Sequence, residues 1–220
     1  TFLLELSSND TKTVVKEMYE NLEDYQQLKN DFEEFTDILT KKGKYCDVEY
    51  NIIVEFLTQV HSLTFNSGNG ESMSAYDICK FAFILRELFL YLIAYGLKNK
   101  NYKLIADLLH SPYYLTDAYN QQKGTQHFVE LDIRGPRDMN DYADYYYKQF
   151  ENKQYPSPLG ELLIQRLPPL INAEYLIDAD LLCCYVSFLN KEEYENKFWF
   201  PYTYVYKGRH TSFEMFRRLT

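Results

Sequence analysis

The chain has 220 residues, a formal net charge of −9, 46% hydrophobic and 17% aromatic residues, and only 8 Gly and 7 Pro. That much apolar side chain supplies a sizeable core and argues against disorder, while so few turn formers argue against a loop-rich sandwich or barrel. The acidic balance repels nucleic-acid phosphate and anionic lipid, so broad nucleic-acid binding is not expected.

Asn9 or Asp10 caps a predicted helix running to about Thr40, because Val15, Met18, Leu22, Tyr25, Leu28, Phe32, Phe35 and Leu39 recur at three- and four-residue steps. Three-residue steps flank Tyr25 and would overwind a strict coiled coil there, so this helix is expected to pack on the domain and not as a free zipper. Gly43 is its expected terminator. A second helix is predicted from Asp47 to about Leu63, with Ile52, Ile53, Phe56, Leu57 and Val60 on one side. Residues 66–72, rich in Asn, Ser and Gly, read as a connector; no strand precedes their glycines and no Gly-Lys-Ser/Thr follows, so they are not a phosphate loop.

From Ile78 to Tyr95 the chain is apolar on nearly every face, interrupted by Arg86 and Glu87. A helix hydrophobic all round must be wrapped by other helices or by lipid, and this run is too short and too charged to span a bilayer. It is the predicted central helix, with Phe81, Leu85, Leu88, Phe89 and Leu92 least accessible, Ser74 and Asp77 as a capping pair, and Gly96 at C′. Adjacent helical residues point about 100° apart, so Arg86 and Glu87 cannot satisfy each other well. Each is expected to find its own partner, in a buried polar network or as the lining of a cleft.

Asn101 to His110 reads as a short amphipathic helix. The texture changes over 124–137, the place where the domain divides if it divides at all, and alternation over Phe128–Ile133 allows at most a short strand near 127–133. Met139 to Phe150 reads as a Tyr-studded helix, Ser157-Pro158 starts another, and Pro168-Pro169 stops it. A last long helix runs from about Asn172 to Leu189, burying Leu176, Ala179, Leu182, Cys183, Val186 and Leu189. The fold class is therefore mainly α: an irregular multi-helix bundle around a central hydrophobic helix, one domain over 1–220.

Cys46, Cys79, Cys183 and Cys184 form no Cys-x-x-Cys pair, which fits a reducing, cytoplasmic compartment, and Cys183-Cys184 read as small apolar residues on a buried face. No two histidines have metal-ligand spacing on one element, so neither a metal nor a cofactor is expected, and His61 and His110 sit where an imidazolium would complement a helix C-terminus. Glu130 and Asp132 would share one face of a short strand. With His110 or His127 they are the candidates for an alternative function, a metal-dependent hydrolase or nuclease, although no Glu-x-Lys follows and Arg134 is the nearest base. The aromatic run around Trp199, Tyr202, Tyr204 and Tyr206, with Lys207 and Arg209 beyond it, can close the core, contact a protein partner or stack bases. A third possibility is a small-ligand receptor with tyrosines and Arg86 lining an interior cleft.

Ala179-Asp180-Leu181-Leu182, the run from Trp199 to Tyr206 and the stretch from Phe213 to Leu219 together resemble helical, non-catalytic regions of large bacterial conflict or anti-phage defence proteins. The resemblance covers the C-terminal part alone and carries over no catalytic residue. It implies sensing or scaffolding beside a separate catalytic module. The chain opens at Thr1 and stops just after Arg217-Arg218, so it reads as a piece of something longer. The expected function is a non-catalytic interaction, sensor or scaffolding domain, whose partners are other domains of a parent chain or a second copy, with no membrane role.

Overall fold

Every residue from Ala82 to Gly96 is buried, and a helix with no solvent face must be enclosed on all sides. The computed structural model, which describes residues 8–41, 47–64, 75–116, 122–132, 135–195 and 197–207, meets that demand with a mainly α multi-helix bundle. The central helix is α4 (Ala75–Lys98). Around it pack α1 (Ser8–Asn21), α2 (Gln26–Lys41), α3 (Asp47–Ser62), α5 (Tyr102–His110), α6 (Gly135–Tyr146) and α8 (Ala173–Leu189). Two short helices, α7 (Pro158–Gln165) and α9 (Tyr202–Lys207), pack on each other beside α6 and α8. One hydrophobic cluster runs from Val15 through Leu88 to Trp199.

Local chemistry fixes the joints. Asn101 caps α5 by accepting from the Leu104 N–H, Ser157 caps α7 by accepting from the Gly160 N–H, and Asn172 caps α8 by accepting from the Tyr175 N–H. The first expected helix is two: the chain turns at residues 22–25, at the phase irregularity around Tyr25, and α2 begins at Gln26. Gly96 is not a C′ residue. The helix continues to Lys98, and it is Lys100 that takes the left-handed conformation, with φ 57°. Gly96 is instead where α4 and α5 meet, since a Cβ there would lie 2.7 Å from Ile105 Cγ1. Phe81 is only half-buried, because the enclosure of α4 becomes complete one residue later.

Phe128–Asp132 forms a 3-10 turn, and the strand pairing lies just upstream: β1 (Tyr113–Thr116) runs antiparallel to β2 (Gln122–Gln126), with Tyr113 opposite Gln126. Leu182 is half-buried and Leu189 is 62% exposed, so the end of α8 projects beyond the core. Gly43, Cys46, the 66–72 connector, Ser74 and everything from residue 208 on, Arg209 and His210 included, lie outside the described residues. No helix among the described residues is long and apolar enough to cross a membrane.

Leu88 is fully buried, so Leu88→Ala should cost about 2 to 5 kcal/mol through lost burial and a residual cavity, read as a shift of the urea midpoint at constant slope. A loss below about half a kcal/mol would show that the helix is peripheral. At the α7–α9 contact a Cβ on Gly160 would sit 2.3 Å from the Tyr202 carbonyl oxygen, a backbone atom that cannot swing away. Gly160→Ala should therefore lower stability by about 1 to 3 kcal/mol through overpacking; a neutral result in the same titration would mean that α9 is not held against α7.

Candidate functional site

Arg86 and Glu87, one residue apart on α4, are both buried and have separate sets of partners. Arg86 Nη1 donates to both carboxylate oxygens of Asp132 at 2.7 Å, and Nη2 donates to Asp180 Oδ1 at 2.7 Å and to the Phe200 carbonyl at 2.6 Å. Its guanidinium stacks 4.1 Å from the centre of the Trp199 ring. Asp180 is completely enclosed. It accepts from Trp199 Nε1 at 2.6 Å, from the Thr203 N–H at 2.8 Å and from the Thr203 hydroxyl at 2.7 Å. Burial opposes the charge on Arg86, and Asp132 and Asp180 more than offset that effect. Burial likewise pushes the Asp132 carboxyl up, to about 6, against the pull of Arg86.

Glu87 faces the other way, toward the turn between α1 and α2. It accepts from the Tyr25 hydroxyl and, at 3.1 Å, from Arg166 Nε; Lys29 Nζ lies 3.6 Å away. The Tyr91 hydroxyl sits 2.9 Å from both Glu87 Oε1 and the Arg166 carbonyl, and its single proton serves one of them at a time. Arg166, one residue past α7, also donates through Nη1 to Glu23 at 2.9 Å and through Nη2 to the Leu22 carbonyl at 3.2 Å. Lys29 donates to the Arg166 carbonyl, and burial pushes its ammonium down against the pull of Glu87. In front of this assembly a cleft of about 310 Å³ opens between the start of α2 and the 165–169 segment.

The helix that floors the cleft is oriented against its own pattern. α2 buries Lys29, Glu33, Thr36, Asp37 and Thr40 while leaving Leu28, Phe35 and Ile38 exposed by 47%, 40% and 50%. At 100° per residue the buried polar row lies about a third of a turn from the apolar stripe, of which Phe32 and Leu39 are buried as well. The stripe faces outward beside α3, where Leu28, Phe32, Phe35, Ile52, Ile53 and Phe56 line an apolar groove of about 220 Å³.

The expected carboxylate pair is not brought together. Because 128–132 is a 3-10 turn and not a strand, Asp132 points to Arg86 while Glu130 pairs with Lys197. His127 stacks on Tyr194 with Nε2 3.7 Å from Glu193, and His110 is exposed at the end of α5. Among the described residues no group of three His, Cys, Asp or Glu is placed to hold a metal ion. Trp199 is fully buried, whereas Tyr202, Tyr204 and Tyr206 are half-buried and the flanking Phe198 and Phe200 are exposed. Cys183 is a free buried thiol, pushed well above its ordinary range by burial, which opposes thiolate chemistry there.

Sequence reasoning did not reach Asp180, Arg166, Lys29 or Glu33. Their signal was present only as polar residues at core-facing spacing, which the apolar stripes of the same helices outweigh. No protein-family model, no curated protein and no solved structure matches the chain.

Asp180 joins Arg86, Trp199 and Thr203 in one buried cluster, so Asp180→Ala should cost about 3 to 5 kcal/mol by stranding a buried cation and three donors. Urea unfolding followed by the fluorescence of Trp199, the only tryptophan, checks this. The native emission should be blue and resistant to an aqueous quencher, and an unchanged midpoint in the variant would mean that the tie contributes nothing.

Proposed function

We propose that this chain is a non-catalytic helical interaction domain, acting as a scaffold or sensor within a larger cytoplasmic protein. The observation that carries the reading is the orientation of α2: its polar row is spent inside the bundle with Phe32 and Leu39, and Leu28, Phe35 and Ile38 are left in water beside Ile52 of α3. Continuous exposed apolar surface of this kind marks contact with another macromolecule, and the groove is lined on both sides by aliphatic and aromatic side chains with no charged group among them. The exposed Tyr185, Phe188 and Leu189 at the end of α8 supply a second apolar patch.

Support also comes from Arg86 and Glu87 of α4, whose carboxylate and guanidinium partners are internal, and from the different partners of Glu130, Asp132 and His127, with no cluster of metal-ligating side chains among the described residues. The C-terminal resemblance to helical regions of bacterial defence proteins agrees with a sensing or scaffolding role. The partner is another protein surface, of the parent chain or a second copy; the acidic charge works against nucleic acid.

A photo-crosslinking amino acid placed at Phe35, in cells of the organism that encodes the chain, should give discrete light-dependent adducts. The same probe at Lys16, on an exposed polar face, should not. Leu28→Glu with Ile52→Glu should abolish the adducts while changing stability by no more than about 1 kcal/mol, since both side chains are about half exposed. Equal, diffuse labelling from both probe positions would refute the interaction role.

A further inference from the structure

We infer that the outward groove between α2 and α3 takes a basic amphipathic helix of a protein partner, seated between carboxylates that flank it on both sides. The inference rests on the interaction reading of this groove and names the chemistry of what fills it. The walls are Leu28, Phe32 and Phe35 of α2 and Ile52, Ile53 and Phe56 of α3, all aliphatic or aromatic. Neither wall offers a hydrogen-bonding side chain, and both belong to helices whose backbone groups are paired internally. An extended segment laid there would leave its own N–H and C=O groups against hydrocarbon, whereas a helix pairs them within itself. The occupant is therefore helical. Leu28 to Phe35 covers about 10 Å of α2, and apolar residues at i, i+4 and i+7 of a partner helix cover the same length.

The rim selects the sign of the partner's charge. Asp31 lies one turn from both Leu28 and Phe35, Glu34 one turn before Ile38, and Glu55 one turn after Ile52, and all of them are exposed. Asp31 accepts from Gln27 at 2.7 Å and Glu55 from Gln59 at 3.4 Å, neutral amides that leave both charges uncompensated. Lys41, an exposed cation at the far end of α2, is held by Asp37.

Exposed charge pairs add little affinity, but they reject wrong partners and speed the approach of right ones. A second copy is disfavoured on this ground, because two-fold pairing of the face would bring Asp31, Glu34 and Glu55 of both copies together. Lysine or arginine beside the apolar stripe of an incoming helix meets the same carboxylates with opposite charge. Apolar burial then supplies the affinity, and the rim supplies the choice.

Fluorescence anisotropy of the whole chain with two labelled peptides tests the assignment. Both are alanine-based helices with Leu at i, i+4, i+7 and i+11; one carries Lys on both flanks of the stripe and the other Glu. The Lys peptide should saturate below about 100 µM, and the Glu peptide should bind at least about tenfold more weakly. Leu28→Ser with Ile52→Ser keeps the charge, changes two half-exposed side chains, and should weaken the Lys peptide at least about tenfold, which places it in the groove. Asp31→Lys with Glu55→Lys should turn the preference toward the Glu peptide. Glu17→Lys with Glu192→Lys makes the same change of net charge at exposed positions on α1 and beyond α8, and in about 0.15 M salt should leave binding within about twofold.

An equal loss in that control pair would reduce the binding to general attraction between an acidic chain and a basic peptide, and overturn the inference. Equal affinity for the two peptides at a site lost in the serine variant would overturn it too, as would binding of neither. In both cases the light-dependent adducts at Phe35 decide separately whether the groove is an interaction surface. Dimerisation through this face, seen by sedimentation and lost in the serine variant, would give the groove to a second copy and overturn the inference likewise.

Discussion

Two opposite charges on adjacent residues of a wholly buried helix are the constraint on which the rest of the structure depends. Arg86 and Glu87 cannot pair with each other, because one helical step directs them to different sides of α4. Neither can stay unpaired inside the core without a cost of several kcal/mol. The fold therefore brings two sets of compensating groups to two sides of one helix.

Those groups come from the joints of the chain and not from the middle of other helices alone. Arg86 gathers Asp132 from the 3-10 turn, Asp180 from α8 and the Phe200 carbonyl from the approach to α9. Glu87 gathers Tyr25 from the α1–α2 turn and Arg166 from the end of α7. Apolar contact is nondirectional and would tolerate sliding of these segments, whereas bidentate and multiply accepted bonds at 2.6 to 3.1 Å do not. Hydrophobic burial thus sets the stability of the bundle, and the two ties set the positions of its connections. The buried Trp199 belongs to this geometry, since its indole N–H and its ring face both contact the Arg86–Asp180 pair.

The second tie also explains the orientation of α2. Lys29 is drawn inward by Glu87 and the Arg166 carbonyl, and the residues that share its face, Glu33, Thr36, Asp37 and Thr40, are carried inward with it. Leu28, Phe35 and Ile38 are carried out by the same rotation. Local hydrophobic pattern and tertiary arrangement disagree here. Such disagreement costs stability and is characteristic of functional surfaces, and the outward apolar groove beside this helix is where an interaction is proposed.

The periodicity of apolar residues, Ser and Asn caps and Pro positions determined most of the helices by sequence alone: α3, α4, α5, α7 and α8 lie close to where the pattern puts them, because their signals are local. The burial of Leu88 and the need of Arg86 and Glu87 for separate partners also follow from composition around one helix. Partner identity did not follow, since Asp180 is 94 positions from Arg86 and Arg166 is 79 from Glu87, separations at which no local rule acts. Tertiary structure alone decided that Glu130 and Asp132 diverge from a 3-10 turn, that Gly96 serves a helix contact, and that Leu189 faces water. It alone decided that α2 turns its polar row inward, because a buried charge on a neighbouring helix outweighs the transfer energy of three half-exposed apolar side chains.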